Sequence, residues 1–328
     1  MNKRQLPGTS VELTTLGFGT TPIANMYTAI DDATAHAAVD RAWDAGIRYF
    51  DTAPLYGLGL GERRLGAALR DRPREKVVVS SKVGRIIVPN ERPTERTDDI
   101  YVVPGNMRAQ RDYSRDGVLR SIDDTLHRTR LDRLDIVYVH DPDDYWRQAS
   151  EKALPTLAEL RDQGVIRAIG AGMNQTAMLE RFLRETAADV VMLAGRYTLL
   201  EQRALDDVLP AAAETRKSVI AVGVLNSGIL STPHPAGGAT YNYAPAPQPL
   251  IEKASRIARV CERHGTTLRQ AALAFPLGHS AVVNVTVGMQ TEDEVTQNVE
   301  DAQRNIPADL WDELREAGLI RADAPTPR

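Results

Sequence analysis

The chain has a single cysteine, Cys261, among 328 residues. No intrachain disulfide and no cysteine-based metal cage can form from one thiol. Cys261 continues a helical apolar pattern with Ile257 and Ala258, so it reads as packing. An excess of one charge is lacking too. Lys and Arg number 40 against 44 Asp and Glu, a net charge of −4. With no dense Lys/Arg stripe either, the electrostatic footprint of a nucleic-acid binder is missing. Nowhere do about 18 apolar residues run together, so no membrane span is expected. The opening stretch MNKRQLPGTSVELTTLG has basic residues but lacks the apolar run of a secretory signal. A cytoplasmic setting is the expectation. Two phosphate-binding motifs are also missing. Gly57, Gly59 and Gly61 alternate and Glu62 stands where the third glycine of G-x-G-x-x-G would fall, and there is no G-x-x-x-x-G-K-[ST].

The composition that remains, 42% hydrophobic and 26% charged, is that of a folded domain able to bury a large core without staples. Residues 1–328 read as one domain, since no internal stretch has linker composition. Short Val/Ile-rich runs alternate with helical patterns. An opening strand ends at Gly17-Phe18-Gly19, and further strands are predicted at 47–51, 77–82, 134–140, 165–170, 189–194, 218–223 and 282–287. Helices are expected near 32–45, 61–70, 115–129, 149–163, 175–186, 201–215, 249–263 and 292–303. Asp31-Asp32 and Ser114 suit helix starts, and Gly46, Gly164 and Gly265 suit helix ends. Eight strands each followed by a helix predict a (β/α)8 TIM barrel. The stretch around Pro7-Gly8 predicts an N-terminal β-hairpin closing the barrel bottom. Two connections, 83–113 and 226–248, exceed ordinary loop length. Both follow strands, so both are expected as loops lining the substrate pocket.

Four residues stand out by position. Asp51 ends the second strand, Lys82 the third and His140 the fourth, while Tyr56 follows in the loop APLYG. Side chains alternate faces along a strand, so Tyr49 and Asp51, Ser80 and Lys82, and Tyr138 and His140 share faces. Taken singly, each has a duller reading as a capping, solvated or packing residue. Three ionisable groups ending apolar rows on consecutive strands point instead to a site at the barrel top. A phenol titrates near pH 10, too high for efficient proton exchange at neutral pH. A nearby ammonium favours the phenolate, and a carboxylate paired to the lysine holds it in place. The imidazole then orients the substrate oxygen or relays a proton.

The stretch GIRYFDTAPLYGLGLGERRLGAAL (46–69) resembles the signature of the aldo-keto reductases. VVVSSKVG, LDRLDIVYVHDPD and LRDQGVIRAIGAGMNQ continue the likeness in order, from about Leu16 to Asn298. The resemblance implies a catalytic tetrad of Asp51, Tyr56, Lys82 and His140 and a nicotinamide cofactor held across the barrel mouth. It places Gly19, Thr20, Thr21, Asp51 and Asn174 near the nicotinamide end. Gly223, Val224, Leu225 and Ser227 fall at the pyrophosphate, and Gly288, Met289, Glu294, Gln297 and Asn298 at the adenosine. The chain departs from the family pattern at Asn174, Ala194 and Val222. Glu294 occupies the place of an arginine that reads a 2′-phosphate, and Gly288 that of its partner lysine, which implies NAD over NADP. Asp141, Tyr113, Trp146 and Asn226 are candidates for substrate contact. VHDPDD, GAGMNQ and VLNSG most resemble dehydrogenases that oxidise aldoses such as L-fucose, L-galactose or D-arabinose at the anomeric carbon. Three alternatives stay open: oxidation of pyridoxal to its lactone, a nicotinamide-binding redox sensor with little turnover, and a Schiff-base aldolase on Lys82. Nothing implies a metal, a membrane partner or a nucleic-acid partner, and the oligomeric state is open.

Overall fold

The computed structural model describes residues 1–328 apart from 98–99, 236–237, 243 and 328. A hairpin of β1 (Lys3–Gln5) and β2 (Glu12–Thr14) leads into β3 (Leu16–Gly19), α1 (Asp32–Asp44) and β4 (Tyr49–Asp51). Next come α2 (Leu60–Leu69), β5 (Val78–Val83), β6 (Arg85–Thr94), β7 (Gly105–Arg111), α3 (Arg115–Thr129) and β8 (Ile136–His140). A continuous helical rod follows as α4 (Trp146–Gln148), a π-helical stretch (Ala149–Ala153) and α5 (Leu154–Asp162). The π stretch abuts Pro155, which lacks the amide hydrogen an α-helical turn needs there. Then come β9 (Ala168–Met173), α6 (Thr176–Glu185), β10 (Val190–Ala194), α7 (Val208–Thr215) and β11 (Ser218–Val222). The chain finishes with β12 (Thr240–Tyr241), β13 (Ala244–Pro245), α8 (Gln248–Arg263), α9 (Leu268–Ala274), β14 (Val282–Gly288), α10 (Glu292–Ala302) and α11 (Ala308–Glu316).

Strands β3, β4, β5, β8, β9, β10, β11 and β14 pair in that order and close on themselves as a parallel barrel. Both faces of each strand are covered, which is why the strands read as near-continuous apolar runs. Leu6, Val11 and Leu13 of the N-terminal hairpin are fully buried among Val78, Ile136, Ala168, Val190 and Val283, inward residues at the strand starts. The hairpin thus closes the barrel bottom, and each plugging side chain contributes roughly 1.5–3 kcal/mol by burial. Asp31 and Ser114 cap α1 and α3 by accepting from Thr34 N and Gly117 N.

Part of the signature is structural. Glu62 is fully buried and accepts from Thr125 Oγ1 at 2.7 Å and Arg128 Nε at 2.5 Å, tying α2 to α3. Four residues on, Gly66 lets α3 approach closely, because a Cβ there would stand 1.9 Å from Thr129 O. Alanine gains about 1 kcal/mol over glycine in a helix. Overpacking costs about 1–3 kcal/mol and sometimes more, and against a backbone oxygen the clash dominates. Gly66→Ala is therefore expected to lower the urea midpoint. An unchanged midpoint would mean that α3 can retreat freely.

The structure corrects several expectations. The fifth barrel strand lies at Ala168–Met173 rather than 165–170, because Val165 N and Ile166 N turn back to Leu160 O. The 83–113 connection is not a structureless loop: β6 and β7 form an antiparallel hairpin. Its outer part is strapped to the β3–α1 connection by Val102 N to Asn25 O (2.9 Å) and Tyr27 N to Ile100 O (2.6 Å). The 226–248 connection contains a short 3-10 stretch (Asn226–Ser231) and the small β12–β13 pair. Residues 98–99 of the first connection and 236–237 and 243 of the second lie outside the described residues. Helices α9 and α11 have no counterpart in the predicted pattern. No helix among the described residues is long and apolar enough to cross a membrane.

Candidate active site

Asp51, Lys82 and His140 lie at or beside the C-terminal ends of β4, β5 and β8, neighbours in the barrel. All three are buried, at 3%, 2% and 6% exposure, so their charges act in a water-poor setting. Lys82 Nζ donates to Asp51 Oδ2 at 2.6 Å and to Thr52 O at 3.0 Å. The other carboxylate oxygen accepts from Ser80 Oγ at 2.7 Å, and Ser80 Oγ lies 2.9 Å from Tyr49 OH. Tyr49 OH is in turn 3.3 Å from Tyr138 OH, so a chain of hydroxyls runs from the carboxylate down the barrel interior. Burial pushes both phenols well above their ordinary titration range and keeps them protonated. They act as fixed dipoles behind Ser80, which itself bonds Asp51.

Tyr56 reaches this cluster through a tight turn. Gly57, Leu58 and Gly59 are all left-handed (φ 56°, 49° and 83°), and a Cβ on Gly57 would lie 2.4 Å from Ala24 O. The alternating glycines therefore serve the turn, not a phosphate. The Tyr56 ring is half-buried beside Tyr101 and Val103 of the strapped excursion. Lys82 Nζ lies 4.6 Å from its centroid, and the His140 ring meets it edge-on at 6.0 Å. The phenol thus stands between an ammonium and an imidazole. Burial first, then Lys82 and Arg85, hold the His140 pKa well below the usual imidazole value, so the ring is neutral at neutral pH.

Asp141 is one residue beyond β8, with its backbone in the left-handed region (φ 40°). Its Oδ2 accepts from Arg85 Nη2 at 2.9 Å and lies 3.5 Å from His140 Nε2. Burial raises its pKa, and Arg85 is the largest opposing influence. Tyr113 is buried and its hydroxyl donates to His140 O (2.8 Å) and Asp141 O (3.0 Å). Burial lifts that phenol to about 12. Its hydrogen is thus committed to the backbone below the site rather than to a ligand. Trp146 is likewise turned aside: its ring packs edge-on to Phe182 at 4.9 Å, with Arg181 stacked at 3.7 Å.

Of the residues expected at a cofactor, Gly19 and Thr20 are buried where β3 ends, and Thr20 Oγ1 donates to Thr52 Oγ1 at 2.9 Å. Thr21 beside them is half-buried. Asn174 is exposed one residue past β9, in the same alternate row as Gly170 and Gly172, which pair with the inward Val190 and Met192. Gly223 is left-handed and exposed, and Asn226, Ser227 and Gly228 follow with φ 47°, 57° and 95°. Such a turn gathers amide groups into an anion-binding concavity. Ser227 lines a cleft of about 370 Å³ with Thr232, His234 and Thr240. Val224 and Met289 are core residues at 1% and 0% exposure, so only their backbones can meet a ligand. Leu225 is half-buried and Gly288 exposed.

At the N-terminus of α10, Glu292, Asp293 and Glu294 crowd the first turn, and Glu294 Oε2 accepts from Gln290 N at 2.7 Å. Gln297 Oε1 accepts from Arg269 Nη1 at 3.1 Å, while Asn298 Nδ2 donates to Glu294 O at 2.8 Å. Asn226 Oδ1 and Asn298 Oδ1 are buried acceptors that find no partner among the described residues. Unsatisfied buried acceptors are costly. Together with the amide concavity they form a donor and acceptor set that fits a bound dinucleotide. Two residues that the sequence reading missed shape the centre, Ser80 and Arg85. Ser80 shares the inward row of Lys82, a signal that was available; Arg85 followed no pattern. Among the described residues no group of three or more His, Cys, Asp or Glu could hold a metal.

The comparisons with known proteins point to one family. The model of the "Aldo/keto reductase family" matches residues 15–318. D-threo-aldose 1-dehydrogenase of Pseudomonas sp is 44% identical over 95% of this chain and 95% of its own. Pyridoxal 4-dehydrogenase of Microbacterium luteolum is 37% identical over 97% of this chain and 98% of its own. Among solved structures, the holo form of an aldo-keto reductase from Bacillus halodurans superposes with a TM-score of 0.76 at 25% identity, covering 99% of this chain and 98% of that one.

Proposed function

The chain belongs to the aldo/keto reductase family, and on that premise we propose that it is an NAD-dependent dehydrogenase of cyclic hemiacetals. It is an oxidoreductase acting on a CH–OH group of a small molecule with a nicotinamide cofactor. The finer reading is that it oxidises an aldose such as L-fucose, L-galactose or D-arabinose at the anomeric carbon to the lactone. The observation that carries it is the Tyr56 ring set between Lys82 Nζ and the His140 imidazole at the barrel mouth. The 44% identity to an aldose 1-dehydrogenase supports the substrate class.

In this reading Tyr56 takes the proton of the hemiacetal hydroxyl on its phenolate oxygen. Lys82, fixed by Asp51 and Thr52 O, favours the phenolate. His140 donates a hydrogen bond that orients the same substrate oxygen, and Asp141 meets a neighbouring hydroxyl. The nicotinamide, when bound, supplies the hydride acceptor. Gly19, Thr20, Thr21 and Asn174 would hold its near end, the turn from Gly223 to Ser227 the pyrophosphate, and Gly288 to Asn298 the adenosine. Lys82 is unsuited to Schiff-base chemistry, since a nucleophilic amine needs a free lone pair and this one is an ammonium bonded to a carboxylate.

NAD is favoured over NADP because a 2′-phosphate at the start of α10 would face Glu292, Asp293 and Glu294. Repulsion from one carboxylate amounts to about 1 kcal/mol or more at contact distance, so kcat/KM for NAD should exceed that for NADP by about fivefold or more. A ratio favouring NADP would sink the assignment. Pyridoxal is the second reading, also a cyclic hemiacetal substrate and supported by the 37% relative. Turnover on pyridoxal with silence on every sugar would favour it.

A further inference from the structure

We propose that Arg85 is a positioning residue: it pins the Asp141 carboxylate beside His140, which fixes the ring proton on Nε2, and its charge offsets that of the carboxylate so that the imidazole stays neutral. The reaction this serves is the dehydrogenation proposed above; the geometry itself does not depend on which hemiacetal is the substrate.

The arrangement is over-determined by the backbone. Gly84, at φ 99°, carries the chain across the Tyr113 ring, where a Cβ would stand 2.1 Å from a ring carbon. That crossing sets Arg85 at the base of the β6–β7 hairpin, opposite Arg111. The Tyr113 hydroxyl bridges His140 O and Asp141 O, and Asp141 N donates to Gly172 O at 3.0 Å. Asp141 is thereby held in its left-handed conformation with Oδ2 between Arg85 Nη2 and His140 Nε2.

The tautomer follows from the partners of the two ring nitrogens. His140 Nδ1 is buried and finds no hydrogen-bond partner among the described residues. With the proton on Nδ1, a buried N–H would go unsatisfied and the Nε2 lone pair would face a carboxylate. With the proton on Nε2, the N–H faces Asp141 and the mouth, and only an acceptor is left bare at Nδ1. The charge state follows from the groups around the ring. Lys82 faces it from β5, Arg85 from β6, Asp141 from its own strand end, and the Tyr56 ring from the β4–α2 turn. Arg111 and Asp143 act one step out, on Asp141. Without Arg85 the carboxylate would be unbalanced and would draw a proton onto the His140–Asp141 pair. An imidazolium at this point could give its own proton to the Tyr56 phenolate and so quench the base. A neutral Nε2–H holds the substrate oxygen without exchanging a proton with it, which leaves the substrate proton to the phenolate.

The test uses the full chain with NAD and nitrogen NMR of the histidine side chains, His140→Gln assigning the signal. In the wild type the His140 ring is expected neutral with Nε2 protonated at neutral pH. In Arg85→Met the proton uptake of the ring, and with it the acidic limb of the kcat/KM profile, should move to higher pH by about one unit. Arg85→Lys, which keeps the charge, should stay near the wild type. If Arg85→Met fails to fold, Arg85→Gln removes the charge at similar length. A wild-type proton on Nδ1, or a charge-removing variant that titrates with the wild type, would overturn the proposal. The NMR titration needs no substrate, so it stands or falls separately from the aldose reading.

Discussion

Tyr56→Phe is expected to lower kcat for aldose oxidation by about 10²–10⁴-fold, the usual worth of a positioned proton donor or acceptor. The ring keeps its place beside Lys82 and His140, because its apolar packing on the Ala24, Tyr101 and Val103 cluster is made by carbon atoms that phenylalanine retains. Cofactor affinity, read by fluorescence titration with NAD, should therefore stay within a few-fold of wild type. This split separates a chemical role from a packing role. Loss of turnover together with loss of NAD binding would indicate a collapsed turn, and full turnover would remove Tyr56 from the mechanism.

The second large effect is expected at the buried ion pair. Lys82→Met leaves the Asp51 carboxylate with Ser80 but without the ammonium now 2.6 Å away. Removing one partner of a buried pair typically costs about 3–5 kcal/mol, because the other charge stays buried and uncompensated. Adding Asp51→Asn removes that charge, and its amide oxygen can still accept from Ser80 Oγ. The double variant should thus recover most of the lost stability in urea unfolding, while turnover stays as low as in Lys82→Met. The pattern separates the two duties of the pair, since stability needs only charge balance and catalysis needs the ammonium beside the phenol. Additive losses in the double variant would show that the pair is not energetically coupled.

Much of this centre was legible in the chain because it obeys short-range rules. Asp51, Lys82 and His140 end apolar runs on consecutive strands, and strand alternation places them in inward rows with Tyr49, Ser80 and Tyr138. The barrel itself followed from eight apolar runs separated by helical periods. What escaped was set by distant partners. Arg85 finds its carboxylate 56 residues away, and no local pattern marks it. Trp146 looked like a pocket aromatic until α6 supplied Phe182 and Arg181 as its neighbours. Tyr113, a candidate for substrate contact, donates its hydroxyl to the backbone where Gly84 crosses its ring. The β6–β7 hairpin was hidden by Pro89 and Pro93 in β6, residues that argue against a central strand but are tolerated in a two-stranded edge. Helix α9 did carry a signal, the capping box between Thr267 and Gln270. Helix α11 carries none of that kind, since Pro307 at its N-cap makes no side-chain bond.

Hydride transfer from an anomeric carbon to NAD at the Tyr56–Lys82–His140 centre is open to direct test. The most direct measurement uses L-fucose carrying deuterium at the anomeric carbon, with mass analysis of the cofactor and the sugar product. Deuterated NADH, one equivalent of lactone and a slowed rate relative to unlabelled sugar are expected. NADH formed without deuterium, or no NADH from L-fucose, L-galactose or D-arabinose while the folded protein binds NAD, would contradict it.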